Sequence, residues 1–190
     1  FPSLVATWHA TGEDRYAAAV DRLVKDWVLA HGTAPEKPEP RAVWTPLNPG
    51  IRMSGPWPRA FYGLHQAEAF TPAARLLLLY TVPEHARFLQ DHLHAGHNFA
   101  TMQMNGLGTI GAAFPEFKRA GHWRDFAVQQ VLREFEMQVY PDGVQKELAA
   151  SYHWVALINF ERLAESLRCG GFKVPEAYRE QLVQMYDYMA

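Results

Sequence analysis

The chain holds a single cysteine, Cys169, in 190 residues. No internal disulfide can form, so a hydrophobic core must hold the fold, and cysteine usage argues neither for nor against export. A dominant charge is missing as well. Eighteen Lys and Arg stand against twenty Asp and Glu, a net charge of −2, which leaves no basic field of the kind that binds nucleic acid. An anionic ligand would have to be met by locally placed Arg, Lys and Asn. Long apolar runs are absent too. The longest, around Leu76–Tyr80, falls far short of the ~20 residues that cross a bilayer, so no membrane helix is expected. No stretch alternates convincingly with a period of two, which argues against strands. The chain opens at Phe1-Pro2 with no initiator methionine and no signal peptide. It closes at Tyr188-Met189-Ala190 in what reads as a helix. It therefore reads as one domain, residues 1–190, belonging to a longer protein.

What is present is helical punctuation. Hydrophobic residues make up 48% of the chain, a globular composition. After Thr11-Gly12-Glu13 an amphipathic helix places Tyr16, Val20, Leu23, Trp27 and Val28 on one face and Asp14, Arg15, Asp21, Arg22, Lys25 and Asp26 on the other, and Gly32 stops it. Residues 34–58 read as an irregular connection rich in proline (Pro35, Pro38, Pro40, Pro46, Pro49, Pro56, Pro58). Helices are expected over 59–70, from Thr71-Pro72 to Tyr80, from Pro83-Glu84 to about Leu93, from about Trp123 to Val139, over 152–167 until Gly170-Gly171, and from Pro175 onward. The fold class is all-α, built of antiparallel helical hairpins.

The stretch His97–Phe117 organises the rest. It begins polar, at Gly96-His97-Asn98, and then turns apolar and small: Met104, Leu107, Gly108, Ile110, Gly111, Ala112 and Ala113, until Pro115. That spacing predicts a helix packed closely on several sides. Asn98 in its first turn is either a cap or part of a site at the mouth of the core. Downstream, Pro141-Asp142-Gly143 marks a turn, and Tyr152-His153 begins the next helical run, so two polar helix starts converge if the helices are neighbours. Trp44 and Trp57, with Arg52 and Arg59, either line a sugar site from the proline-rich loop or pin that loop to the core. His92, His94 and His97 are close enough in sequence for a transition metal, but only Asp91 is spaced to join them. Solvated histidines at a helix C-terminus account for them better, and no metal or cofactor is assigned.

Taken in order, Asn98, Gly106-Leu107, Phe114-Pro115-Glu116-Phe117, Trp123, Gln138-Val139, Asp142-Gly143, Glu147 and Tyr152-His153 resemble the heparinase II/III-like polysaccharide lyases, most of all the heparinase III type, polysaccharide lyase family 12. The resemblance extends upstream to residues 11–17, Trp44 and Arg52, and so covers nearly the whole chain. It implies an incomplete (α/α) toroid with substrate in its groove. The β-sandwich domain that normally follows, and that supplies a further catalytic histidine, is absent from this sequence. It implies β-elimination on a uronic-acid-containing, heparan sulfate-like glycosaminoglycan, in the bacterial periplasm or outside the cell. At the matching positions, Asn98 neutralises the uronate carboxylate and Tyr152 is base and acid. Arg52, His97, Trp57, His153, Glu147 and Gln145 are expected around the substrate. A free tyrosine has a pKa of about 10, so a positive neighbour such as Arg52, His97 or His153 would help it act as a base. Alginate-lyase relatives usually carry histidine after the asparagine. Phe99 stands there instead, which favours the heparinase III branch while leaving other uronate polymers open. Two other classes stay open: a sugar-binding helical domain without catalysis, resting on Trp44 and Trp57, and a glycoside hydrolase needing two facing carboxylates, for which Glu147 and Asp142 are the candidates.

Overall fold

The Thr11-Gly12-Glu13 punctuation separates two helices. In a computed structural model that describes residues 1–38 and 43–189, Pro2 opens α1 (Pro2–Thr11), and Gly12 closes it in the left-handed conformation at φ 68° before α2 (Asp14–His31) begins. The first of these helices was not expected from the sequence. The expected connection over 34–58 contains α3 (Asn48–Met53) and the start of α4 (Pro56–Gly63), both opened by proline; Pro40 lies outside the described residues. There follow α5 (Pro72–Asp91), α6 (Asn98–Ala113), α7 (Ala120–Gln138), α8 (Ala150–Cys169) and α9 (Glu176–Asp187). Among the described residues the only β pairing is a single bridge between Val139 and Gln145, so the chain is all-α as its patterning implies.

Three sequence expectations are corrected. The helix placed over 59–70 ends at Gly63. Ala67 and Phe70 reach the core through successive tight turns, their N–H groups donating to Leu64 O and Ala67 O. The two helices expected on either side of Pro83 are one helix, α5, with Pro83 inside it. A mid-helix proline removes a backbone donor. Here the Thr81 hydroxyl donates to Leu78 O (2.9 Å) and His85 Nδ1 to Thr81 O (2.8 Å), while Leu78, Val82, Ala86 and Leu89 bury one stripe that runs through the proline. Continuous burial therefore overrides the local break. On α2, Asp21 belongs to the buried face and Leu23 is exposed. Asp21 accepts from Thr71 N (2.9 Å) and Thr71 Oγ1 (2.6 Å), tying α2 to the start of α5, and pairs with Lys25 at 2.6 Å. Burial alone would raise its carboxyl; the bonds from Lys25 and Thr71 hold it below the usual range.

The hairpins stack side by side as part of an (α/α) toroid. α6 and α7 run antiparallel: Gly111 packs at Ala120 and Arg124, while Gln138 reaches back to His97. α6 and α8 run parallel, joined by Asn105 to Asn159 (3.1 Å) and, further along both helices, Thr109 to Ser166 (3.0 Å). α6 is buried on nearly every side, and its glycines are the reason neighbours come so close. A Cβ on Gly106 would meet the Gly50 backbone of α3 at 2.6 Å, one on Gly108 would strike Leu163 of α8, and one on Gly111 would meet Ala120 O of α7 at 2.6 Å. Replacing Gly106 by Ala sets backbone against backbone and is expected to cost about 2–3 kcal/mol. Gly121→Ala, where the nearest group is the movable Arg124 guanidinium at 3.7 Å, should be neutral or gain up to about 1 kcal/mol. Urea unfolding of the two variants measures the difference.

Candidate functional site

Asn98 is the first residue of α6, and the cap before it is His97: His97 Nδ1 accepts from Phe99 N at 3.2 Å. Capping therefore does not account for Asn98. It is 5% exposed, its Oδ1 accepts a long bond from Thr101 Oγ1 (3.4 Å), and among the described residues nothing accepts from its Nδ2. Tyr152 lies in the first turn of α8 and is 51% exposed, with a free hydroxyl among the described residues. The seam sets these two at one level. Asn105 and Asn159 touch, Asn98 lies seven residues before the first, and Tyr152 lies seven before the second. Seven residues are two turns, about 10 Å, so each keeps the face of its hydrogen-bonded partner and both sit at one level of two parallel helices. The positive ends of α6 and α8 point the same way at that level, which suits an anion.

A buried network holds the two helix starts. Glu134, fully buried on α7, accepts from Gly96 N (2.9 Å), from Gln130 Nε2 (2.7 Å) and closely from Gln138 Nε2. Gln138 Nε2 also donates to His97 O (3.1 Å), and Gln138 Oε1 accepts from Gln145 Nε2 (3.4 Å). Gln145 N donates to His153 Nδ1 (3.2 Å), which leaves the ring proton on Nε2 for Met185 O (3.0 Å). Lys146 Nζ donates to Gly96 O, closing the 96–98 turn onto the loop before α8. That loop turns at Asp142-Gly143, as expected, with Asp142 Oδ1 accepting from Val144 N (3.2 Å) and Gly143 at φ 87° against the α9 backbone. It ends on Leu148, exposed and held at φ 54°, a left-handed conformation that costs a bulky residue about 1–2 kcal/mol.

The other expected site residues are placed differently. Gln145 and His153 are buried, with their polar atoms turned to protein partners, so both position the site from beneath and offer nothing to a sugar. His97 and Glu147 are exposed; the Glu147 N–H donates to Gln145 Oε1 (2.8 Å). Trp57 is buried beside Trp27 (4.8 Å) and His85 (5.5 Å), and Trp44 Nε1 donates to His31 O (2.8 Å). Both tryptophans pin the loop, which removes the stacking faces a pure sugar-binding module would have used. Asp142 serves its turn, so the paired carboxylates of a glycoside hydrolase are not assembled. No three His, Cys, Asp or Glu among the described residues converge on a metal site; His92 packs on Phe88 (4.4 Å), and His94 and His97 rings stand 6.4 Å apart.

Arg52 joins the tryptophan cluster. It lies over Trp27 (4.7 Å) and Trp44 (5.1 Å), donates from Nη1 to Val43 O (2.7 Å) and from Nε to His85 Nε2 (3.0 Å). Burial brings Arg52 down to about 10, so it stays charged. Burial and the adjacent Arg52 charge push His85 down to about 3. His85 is thus neutral when folded and takes up a proton when unfolded. Its contribution is complete above about pH 6.5 and is lost as pH falls from there towards 3, at up to about 1.4 kcal/mol per unit. Chemical unfolding at pH 7 and pH 5 should show that loss, and His85→Gln, which keeps both hydrogen bonds without titrating, should shrink it. For the buried network, Glu134→Ala leaves Gly96 N–H and the Gln130 amide without an acceptor and the Gln138 amide with only His97 O, and a loss of about 3 kcal/mol is expected in the same assay.

Sequence signal for most of this network was slight. Glu134 reads as one more charge on an amphipathic helix, and only its spacing to Gln130 and Gln138, one turn either way, hints at a buried polar stripe.

The model of the heparinase II/III N-terminus matches residues 1–190. The chain is 29% identical over 155 residues to a heparin-sulfate lyase of Pedobacter heparinus, covering 82% of this chain and 23% of that protein. It is 27% identical over 179 residues to a heparin-sulfate lyase of Bacteroides thetaiotaomicron, covering 92% and 25%. Among solved structures it is similar to heparan sulfate lyase HepC from Pedobacter heparinus, with TM-score 0.82, 27% identity and coverage of 98% of this chain and 29% of that one. A crystal structure of heparinase III has the same fold at TM-score 0.84 and 23% identity, covering 98% and 28%. The chain spans about a quarter of the length of the curated relatives it matches.

Proposed function

The chain belongs to the heparinase II/III N-terminal family, and on that premise we propose that it forms the helical part of a polysaccharide lyase that cleaves a heparan sulfate-like glycosaminoglycan by β-elimination. What supports the reading is that Asn98 and Tyr152 each lie two turns before the bonded Asn105 and Asn159, at one level of the parallel α6 and α8. Removal of the C5 proton of a uronic acid pushes charge onto the neighbouring carboxylate. The free Asn98 amide donates to that carboxylate where charge develops, and two helix N-termini favour it there. The Tyr152 oxygen is the base that takes the C5 proton. The C4–O4 bond breaks, a C4=C5 double bond forms, and Tyr152 returns the proton to the departing glycosidic oxygen. His97 borders the substrate beside Asn98, with the His97 ring proton left on Nε2 by the bond its Nδ1 accepts. A domain beyond this chain supplies a further histidine, and the complete protein works in the periplasm or outside the cell.

Tyr152→Phe is the direct test. Tyr152 is half exposed and its hydroxyl binds nothing described, so stability should hold within about 0.5 kcal/mol. Turnover of heparan sulfate by the complete protein, followed by ultraviolet absorbance of the unsaturated uronate, should fall at least about 100-fold. Intact turnover in that variant overturns the assignment.

A further inference from the structure

The face of α8 that carries Tyr152 does not end at the Asn105–Asn159 contact. At helical spacing it continues through Val155, Asn159, Arg162, Ser166 and Cys169. Opposite it, the α6 stripe of Asn98 and Asn105 continues to Thr109, which bonds to Ser166. Beyond that bond the seam opens into a groove of about 390 Å³, walled by α8 on one side and the α3–α4 junction on the other. Ser54, Gly55, Arg59, Thr109, Arg162 and Ser166 line it.

Arg59 and Arg162 are the charged features that matter. Both are exposed, and among the described residues neither is paired with an acid. Arg87, Arg124 and Arg179, by contrast, each hold a carboxylate. Glu165 also lines the groove and bonds to neither arginine. Two uncommitted guanidinium forks in one groove match planar or tetrahedral oxyanions, which they take in bidentate fashion.

We infer that Arg59 and Arg162 form a remote anion subsite that holds an acidic group of the polysaccharide chain several sugars away from the bond cleaved at Asn98 and Tyr152. The inference rests on the lyase reading of that pair and adds a direction to it. Arg162 is ten residues from Tyr152 along α8, about 15 Å, so only an extended chain engages both. Carboxylate and sulfate offer the same chemistry to a guanidinium, and the substrate series below separates them.

The experiment uses the complete protein with Arg59→Gln/Arg162→Gln, and with Arg22→Gln on the exposed side of α2 as a charge control. Kinetics are read on heparan sulfate and on an oligosaccharide too short to reach from Tyr152 to Arg162. The double variant should raise KM for the polymer about tenfold with kcat unchanged, leave the short substrate within about twofold, and lessen the salt dependence of KM. The control should change neither. An effect that persists on desulfated polymer assigns the carboxylate; one that disappears assigns the sulfate. Unchanged KM on the polymer, or equal losses on long and short substrates, overturns the subsite. If the unsubstituted protein yields no unsaturated product, the lyase reading has failed on its own. Calorimetric affinity for heparan sulfate then decides: weaker binding by the double variant sustains the subsite, and equal binding or none overturns it.

Discussion

Everything in this domain is arranged around how closely other backbones can approach α6. Gly106 admits α3, Gly108 admits a leucine of α8, and Gly111 admits the start of α7, each in the space a side chain would have filled. Interiors are packed at crystal-like density, so such approaches have few alternatives once made. They set the separation of α6 from α8, and that separation sets whether Asn105 can reach Asn159. The polar groups at the far ends of the two helices are aligned as a consequence. Glycine in a helix lowers its intrinsic stability by about 1 kcal/mol each, and here the loss is offset by burial on all sides.

Close packing fixes distance, and a second constraint fixes the ends. Glu134 is a buried carboxylate with no cation among its described partners; amide and backbone donors satisfy it instead. An uncompensated buried charge is expensive. The same donors therefore cannot easily be released, and the one from Gly96 immediately precedes the cap and Asn98. Through Gln138 and Gln145 the constraint passes to His153, the neighbour of Tyr152. The strained Leu148 lies in the short segment between, where the chain must change direction to enter α8. Two helix starts more than fifty residues apart in sequence are thus registered by one buried acid and two glutamines.

This division explains what could be read from the chain. The glycine and alanine pattern of α6 announces a helix enclosed by neighbours, because small residues in apolar periodicity have that single physical use. Asp142-Gly143 announces its turn for the same kind of reason. Asp21 and Glu134 could not be placed, since a carboxylate on an amphipathic helix looks alike whether it meets water or a buried donor. Pro83 misleads because its local preference is real and is outweighed by burial on both sides. Trp57 and His153 are residue types suited to sugars and to cores alike, and only packing tells which. Arg59 and Arg162, more than a hundred residues apart, carry no pattern linking them until α8 is laid beside α4.

The alternation of the hairpins has a functional corollary. Because α7 runs back between α6 and α8, the two helices it joins must be parallel, and their N-termini must lie on one edge. A single helix offers an anion about half an elementary charge, within its first turn. Two in register offer it from two sides, without any cation having to be buried nearby. The site can then hold a carboxylate while the domain as a whole remains slightly acidic, at net −2. Positive potential is accordingly local: helix ends at one end of the seam and arginines without an acidic partner among the described residues at the other. On the proposed lyase reading, a linear polyanion would suit that arrangement because its charges repeat along its length, so that one acidic group would settle at Arg59 and Arg162 while another is presented to Asn98.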